Sequence, residues 1–226
     1  MSTLADAFQR FRATPKGAAL EAFRPDVEHC QRCPLHATRQ LAVFGEGNPE
    51  SPLVLVGEGP GDQEDRTGRP FVGRSGQLLD AVLLECGLDR RYVYICNTVK
   101  CRAHDRIDGR AVNRPPAPSE IAACRPWLEK QLQVIQPLVI VCIGAPSART
   151  LIDPAFSITR QRGEWFTGLP HAPAVTATFH PAYVLRQEGT SLANLGRLMI
   201  QDIMAARQRA AQLRTDREAR MDRGDV

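Results

Sequence analysis

Short apolar runs that end in glycine or in polar clusters dominate the middle of the chain. Four of them have the length of buried strands, at residues 53–56, 92–97, 137–144 and 173–178. Between and after them, apolar residues recur at helical spacing, which predicts helices over 75–87, 119–133, 145–152 and 190–215. Strands that alternate with helices predict an α/β fold, whose mostly parallel sheet is covered by helices on both faces.

The flanking segments are less regular. Residues 4–23 have a helical apolar pattern, which Pro15-Lys16-Gly17 interrupts. Residues 102–119 contain four arginines and three prolines without any periodicity, which predicts a loop. The charged residues 214–226 predict a frayed C-terminal tail.

Composition narrows the class of protein. The chain has 226 residues, of which 43% are hydrophobic and 24% charged, as is ordinary for a globular protein. Since there is no repeat and no linker, we expect one domain over 1–226 with its core at about 26–205. No window approaches the roughly 20 apolar residues that cross a bilayer, and the first residues lack the apolar centre of a signal peptide. We therefore expect a cytoplasmic protein without a membrane partner. The net charge of +4 permits nucleic-acid binding without requiring it.

The stretch 53–76 carries the strongest indication of a ligand site. A buried strand leads into Gly57-Glu58-Gly59-Pro60-Gly61, where glycines and a proline end the strand and let backbone approach a ligand closely. Glu58 places a carboxylate in this turn, and the aromatic Phe71 follows. Because open α/β sheets bind ligands at the carboxyl ends of parallel strands, we expect a pocket here.

The seven cysteines do not indicate disulfides in a cytoplasmic chain. Cys30 and Cys33 form a Cys-x2-Cys pair, whereas Cys101 and Cys124 are isolated. A zinc ribbon prefers a second close pair, while one pair followed by proline and two distant thiolates suits an iron–sulfur cluster. The spacing leaves a cluster, a zinc site and unrelated buried cysteines all open. The remaining cysteines lie in apolar runs and are expected to be small core residues: Cys86, Cys96 and Cys142.

Together these motifs resemble the family 4 uracil-DNA glycosylases, the iron–sulfur-containing branch of the uracil-DNA glycosylase superfamily. The resemblance runs from about Cys30 to Arg186. It is carried, in order, by Cys30-x2-Cys33, GEGPGDQEDRTGRPFVG at 57–73, NTVKC at 97–101, EIAAC at 120–124 and HPAYVLR at 180–186. Each motif alone is weak evidence, but their order and content together are highly specific.

The resemblance implies a three-layer α/β/α domain around a central, mostly parallel sheet of four strands. It also implies a structural [4Fe–4S] cluster on Cys30, Cys33, Cys101 and Cys124. The segment between the last two cysteines is longer than is usual in the family, and residues 103–112 are the inserted part. The implied activity is that of a monomeric uracil-DNA glycosylase that acts on single- or double-stranded DNA of a bacterial or archaeal nucleoid and leaves an abasic site.

The resemblance also implies roles for residues that hold uracil after it has been flipped out of DNA. Phe71 offers a stacking surface, and the Asn97 amide pairs with uracil O4 and N3–H, a pattern that cytosine reverses. His180 stabilises the leaving uracil anion at O2, with help from the Gly59 backbone N–H. Glu58 activates water or stabilises the sugar cation. Without the family match, core packing, a turn asparagine and a surface histidine would explain Phe71, Asn97 and His180.

The segment after His180 is implied to enter the DNA. Leu185 is the expected wedge that fills the gap left by the flipped base, beside Tyr183, and Arg186 is expected on a phosphate. Burial at a helix start is the alternative for Leu185. The arginines of 102–114 are a second candidate phosphate-contact surface, which a solvated loop explains equally well.

Two other functions compete with the glycosylase. The first is a protein of the same fold that binds uracil-containing or abasic DNA without turnover. A related branch uses a histidine-bearing insert for this, but here the insert carries His104 without an Arg-Arg-Ile-His pattern. The second is a hydrolase of free nucleotides or nucleosides with a structural zinc, which fits the α/β pattern but not the whole set of motifs.

Overall fold

The computed structural model describes residues 3–224. The β-strands are β1 (Glu46–Gly47), β2 (Leu53–Gly57), β3 (Tyr94–Asn97), β4 (His104–Ile107), β5 (Arg110–Asn113), β6 (Val139–Ile143) and β7 (Ala174–Thr178). The helices of the first half are α1 (Leu4–Arg12), α2 (Pro15–Glu21), α3 (Arg24–Glu28), α4 (Asp62–Thr67) and α5 (Arg74–Glu85). Those of the second half are α6 (Pro118–Ile135), α7 (Ala145–Leu151), α8 (Ile158–Gln161), α9 (Pro181–Val184) and α10 (Gly189–Arg223).

The larger sheet has the strand order β1-β3-β2-β6-β7. Strands β2, β3, β6 and β7 run parallel, and the short β1 pairs antiparallel with β3 at one edge. The predicted, mostly parallel sheet is therefore confirmed, with β1 as a fifth strand. All residues of β2, β6 and β7 are buried. This burial on both faces explains why the strands appear in the sequence as continuous apolar runs.

Helices cover both faces of this sheet, as predicted. One core cluster joins Leu55 and Val141 to helices α5 and α10. The other joins Val54 and Ile140 to helices α2, α6 and α7. Because successive strand residues point to opposite faces of the sheet, neighbouring residues of one strand belong to two separate hydrophobic cores. The result is a three-layer α/β/α arrangement.

The hairpin of β4 and β5 corrects the prediction of a loop over 102–119. Its turn is Asp108-Gly109, with φ angles of 50° and 75°, and two positive φ angles are what a type I′ hairpin turn needs. Residues 105–113 are all exposed, so no alternation of apolar and polar residues marks the strands. The aspartate–glycine pair is the one sequence signal of this hairpin.

The C-terminal helix is longer than predicted. The sequence predicts a helix over 190–215 and a frayed tail over 214–226, whereas α10 continues through Arg223. The charged residues Arg214 and Glu218, 3.4 Å apart, form an ion pair one helical turn apart, and such pairs support an exposed helix. The last two residues of the predicted tail lie outside the described residues.

The N-terminal segment, predicted as a helix over 4–23 with an interruption, consists of two helices. The break falls just before Pro15, which becomes the first residue of α2, and the Thr14 hydroxyl caps α2 by accepting the Gly17 N–H at 3.1 Å. Within residues 3–224, every helix falls short of the length or the apolar character that crossing a membrane needs.

Candidate active site

A cavity of about 570 Å³ opens at the carboxyl ends of the parallel strands. The ends of strands β2, β3, β6 and β7 each supply part of its wall, through Glu58, Asn97, Gly144 and His180 respectively. Open α/β sheets bind ligands at this edge, and the volume is in the range of small-molecule sites. The cavity is therefore the candidate active site.

The cavity brings together most of the site residues predicted from the sequence. The residues among them that line it are Glu58, Gly59, Phe71, Asn97, His180, Tyr183 and Arg186. The side chain of Leu185 is half-buried just after α9 and is not among the lining residues. The four predicted metal ligands lie around a separate, smaller space.

Asn97 presents an unpaired polar atom at the wall of the cavity. It is the last residue of β3 and only 1% exposed, and its Oδ1 has no hydrogen-bond partner among the described residues. A buried acceptor left unpaired costs about 1–3 kcal/mol, so this oxygen is suited to an N–H of a ligand. Gly57 provides the room, because a Cβ there would lie 2.4 Å from Asn97 Oδ1 and 2.6 Å from Phe71 Cζ.

Phe71 is held in an unusual backbone conformation. Its φ is 51°, a left-handed value that is uncommon for a residue other than glycine. Its ring is 6% exposed and its centroid lies 6.0 Å from that of His180. The buried guanidinium of Arg90 donates to the carbonyl oxygen of Phe71 and, at 2.9 Å, to that of Pro70. A charged donor therefore fixes the position of this ring.

Glu64 fixes the same segment from its other end. Its Oε1 accepts the N–H groups of Val72 and Gly73, both at 2.8 Å, and its Oε2 accepts the N–H of Gly61 at 3.1 Å. One buried carboxylate thus ties the loop after β2 to the turn that carries Phe71. Hydrogen bonds to a charged group are worth about 1.5–3 kcal/mol each, so these bonds hold the cavity wall firmly.

His180 stands just before α9 and presents a neutral imidazole. Its Nδ1 accepts the N–H of Ala182 at 3.0 Å. Burial, the largest cause, and the positive charge of Arg186 together lower the pKa of His180 to about 4, while the negative charge of Glu64 opposes this shift. The ring is therefore uncharged near pH 7. Because Nδ1 is the acceptor, the proton is on Nε2, which is left as a hydrogen-bond donor.

Glu58 supplies a carboxylate without a counter-ion. Burial raises the pKa of Glu58, and no described residue donates a hydrogen bond to its carboxylate. Its backbone is fixed, because its carbonyl oxygen accepts the Thr98 hydroxyl and the Val99 N–H. A half-buried, uncompensated negative charge at a fixed point suits the stabilisation of a developing positive charge or the activation of water.

Four cysteine side chains surround the smaller space and fit an iron–sulfur cluster; they are Cys30, Cys33, Cys101 and Cys124. The sulfurs of three of them already accept hydrogen bonds, each at 3.2 Å, from the Trp127 indole, the Arg39 guanidinium and the Lys100 backbone N–H. Such donors stabilise cluster thiolates and tune their potential. Among residues 3–224 no group of three or more metal-binding side chains forms a site for a metal ion. A four-iron cluster would be held by these four thiolates singly rather than by several groups around one ion.

Sequence reasoning missed several residues of the site. Glu64 lies three positions after Gly61, the spacing of a helix capping box, which was its available signal. Arg90 had no signal, because its partners are 19 and 20 positions away and meet it only in the folded chain. Asn113, at the end of the hairpin, also lines the cavity, beside Arg114 of the predicted phosphate-contact surface.

The comparison with known families agrees with this geometry. The profile described as "Uracil DNA glycosylase superfamily" matches residues 44–203. This span includes all strands of the larger sheet and every residue singled out above in the cavity wall. The chain belongs to the uracil-DNA glycosylase superfamily.

Individual relatives identify the branch. The chain is 44% identical to the type-4 uracil-DNA glycosylase of Thermotoga maritima, over 83% of this chain and 93% of that protein. It is 36% identical to that of Sulfurisphaera tokodaii, over 85% of both chains. With that of Pyrobaculum aerophilum the identity is 38%, over 71% of this chain and 82% of the relative. Within the superfamily, the chain belongs with the type-4 enzymes, as the motifs predicted.

Proposed function

We propose that this protein removes uracil from DNA by hydrolysing its N-glycosidic bond, which leaves an abasic site and begins base-excision repair. The observation that carries the proposal is the common cavity, in which the unpaired Oδ1 of Asn97, the ring of Phe71 and the neutral imidazole of His180 converge. A base inside a duplex cannot reach such a cavity, so the nucleotide is flipped out first.

Recognition rests on Asn97 and Phe71. The flat ring of uracil stacks on Phe71, an interaction worth about 1–3 kcal/mol for a base on an aromatic side chain. The Oδ1 of Asn97 accepts uracil N3–H, and its Nδ2 donates to O4. Cytosine presents an acceptor at N3 and a donor at its exocyclic nitrogen, so it would leave the buried amide unpaired and is rejected.

The leaving group is stabilised by His180. Cleavage of the bond leaves negative charge on uracil O2, and the Nε2–H of a neutral, fixed imidazole donates to that oxygen. Because the Ala182 N–H already occupies Nδ1, the correct tautomer exists before the substrate binds. The backbone N–H of Gly59, which also lines the cavity, is a second donor. Removal of one such preorganised donor typically costs about 10²–10³-fold in rate.

Glu58 acts on the sugar side of the bond. Its carboxylate stabilises the positive charge that develops on the deoxyribose, or it orients the attacking water. Both roles need the ionised form, which burial makes less stable than in water. Because Glu58 has no counter-ion, its full negative charge is available to stabilise the transition state.

The DNA is held next to the cavity by the segment around α9. Tyr183 is 40% exposed, stacks on Phe179 and borders the cavity together with Arg186. Arg186 binds a phosphate of the flipped nucleotide's strand. Leu185 lies between them in sequence and enters the base stack once the DNA has displaced it from its half-buried position.

The four cysteines hold a [4Fe–4S] cluster. The cluster joins the segment of Cys30 and Cys33 to the start of α6 and to the NTVKC segment, and its role is to hold these together. Asn97 and Cys101 are the two ends of this five-residue segment. Order around the cluster therefore extends directly to the residue that reads uracil. The fit rests on the donors to the sulfurs and on the burial of Cys101 and Cys124.

Excision from four oligonucleotides, which carry U·G, U·A, single-stranded U and T·G, tests the proposal. The expected result is alkali-labile nicking of all three uracil substrates and none of the T·G duplex. Binding of uracil DNA without nicking would instead support a binder without turnover. For the cofactor, we expect a brown protein with absorption near ~400 nm from thiolate-to-iron charge transfer. A colourless protein that contains zinc would contradict the cluster.

A further inference from the structure

The hairpin of β4 and β5 stands apart from the rest of the fold. Residues 105–113 are exposed, and within residues 3–224 no hairpin residue belongs to a hydrophobic core cluster. A lone two-stranded ribbon is marginally stable in water. The order of this ribbon therefore has to come from its type I′ turn and from its base.

The base of the hairpin is fixed to the wall of the cavity. The buried guanidinium of Arg102 donates from Nε to Asn113 Oδ1 and from Nη1 to Asp62 Oδ1, both at 2.7 Å. The Arg114 backbone N–H donates to the Ala103 carbonyl at 3.0 Å. Asn113 and Arg114 also line the cavity. The ribbon therefore rises from the rim of the active site in a fixed direction.

Two positive charges on the ribbon have no partner. Asp105 is neutralised by Arg114 at 3.1 Å, and Asp108 lies in the turn. Arg106 and Arg110 form no side-chain ion pair or hydrogen bond with any described residue. The register pairs His104 with Asn113, Arg106 with Ala111 and Ile107 with Arg110. Arg106 therefore lies on the same face of the ribbon as the cavity-lining Asn113, whereas Arg110 lies on the opposite face.

We propose that this ribbon is a second DNA-contacting element, which binds a backbone phosphate on the flank of the flipped nucleotide through Arg106. The inference rests on the proposed function, because it takes DNA to be the molecule at the cavity. Four strand residues extend about 13 Å from the rim. That length covers about four base steps along one strand. The ribbon is therefore long enough to place Arg106 on a phosphate beside the flipped nucleotide.

Equilibrium binding to a DNA duplex with a central abasic-site analogue tests this inference, because such a duplex is bound without turnover. We expect Arg106→Ala to raise Kd about threefold. The slope of log Kd against log salt should fall by about 0.9, the value for the one phosphate that the variant no longer neutralises. Arg106→Lys keeps the charge and should recover most of the affinity.

The matched control is Arg217→Ala, which removes the same charge from an exposed position on α10. Arg217 borders a groove with Leu138 and Pro173, at the amino ends of β6 and β7 and so away from the cavity. Wild-type Kd and salt slope in the ribbon variant would overturn the inference, and so would an equal decrease of affinity in the control. Failure of the proposed function is a separate result, since the wild-type protein would then release no uracil from DNA.

Discussion

The two sides of the cavity are built differently. On the β2 side, Glu64 and Arg90 reach across 8 to 20 positions of sequence and bind the backbone of 70–73 with charged groups. On the β7 side, short-range bonds hold α9, such as those from the Tyr183 and Val184 N–H groups to the His180 carbonyl. Tyr183 and Arg186 extend from it into solvent.

This difference assigns recognition of the base to the β2 side and binding of the DNA backbone to the β7 side. The β2 side has to keep the ring of Phe71 and the amide of Asn97 in fixed positions. Selectivity is lost if a wrong base can move to a position in which its polar groups are also paired. The β7 side has to adapt to a backbone that bends around the flipped nucleotide. We therefore expect changes on the β2 side to affect the rate of excision and changes at Tyr183 or Arg186 to affect DNA affinity. His180 is the exception, because it stands just before α9 but acts on the base.

The largest effect is expected for His180. His180→Ala removes the donor to uracil O2 and should lower the single-turnover rate at saturating enzyme by about 10²–10³-fold. His171→Ala is the matched control. This second half-buried histidine also has a pKa lowered by burial, but it lies in the groove at the opposite end of the strands. An unchanged rate in His180→Ala would remove the leaving-group role.

Glu58 should set the acid side of the pH–rate profile. The reaction needs its carboxylate, and burial raises its pKa, so the rate should fall as pH drops through that raised value. His180 has a pKa of about 4, so it stays neutral above that point and contributes only below it. Glu58→Gln should lower the rate at neutral pH by at least about tenfold and flatten this acid limb.

The exposed carboxylate of Glu50, ion-paired with Lys16 outside the cavity, provides the control. Glu50→Gln should keep the wild-type profile. If Glu58→Gln kept the same acid limb as the wild type, the limb would belong to another group and this assignment would be wrong.

Substitution of Glu64 tests whether the hydrogen bonds on the β2 side of the cavity affect the rate of excision. Glu64→Gln weakens the bonds to Gly61, Val72 and Gly73 and should lower the single-turnover rate about tenfold, with less effect on Kd for DNA. Asp65→Asn is the control, since this neighbour is also buried but binds the Gln40 N–H at 3.0 Å, away from the cavity. Both variants should lose thermal stability. Equal excision rates in Glu64→Gln and Asp65→Asn would show that Glu64 contributes only to the stability of the fold.

The smallest effect is expected for Arg186. Arg186→Ala should raise Kd for uracil-containing duplex about threefold and reduce the salt slope by about 0.9, the value for one neutralised phosphate. Arg209→Ala, on the exposed surface of α10, should change neither. A lower rate at saturating enzyme, with Kd unaltered, would show that the two sides of the cavity are not divided as described.

Local patterns were enough to predict the sheet and a pocket after β2, whereas Asn97 and His180 entered the predicted site through the family resemblance. The buried strands are continuous apolar runs, and each one leads directly into the residue that lines the cavity, as β2 leads to Glu58 and β3 ends at Asn97. The parallel direction of the strands brings these residues together, because the carboxyl ends of parallel strands lie at one edge of the sheet. The family resemblance supplied the roles, which no periodicity could assign.

The missed features depend on tertiary contacts or lack an apolar pattern. The link from Arg90 to Phe71 exists only after folding, and the same is true of the Arg102 bonds at the base of the hairpin. The ribbon buries nothing, so the hydrophobic signal on which strand prediction depends is absent. The extension of α10 to Arg223 was missed for the same reason, since its last turns are charged and exposed.

Release of free uracil from a duplex with one U·G pair, compared between wild-type protein and Asn97→Ala, tests the central claim most directly. The wild type should release uracil and leave a T·G duplex intact. Asn97→Ala, which loses the unpaired oxygen and the amide donor, should release it at least about tenfold more slowly. Uracil release at the wild-type rate by Asn97→Ala, or none from the wild-type protein, would contradict the account.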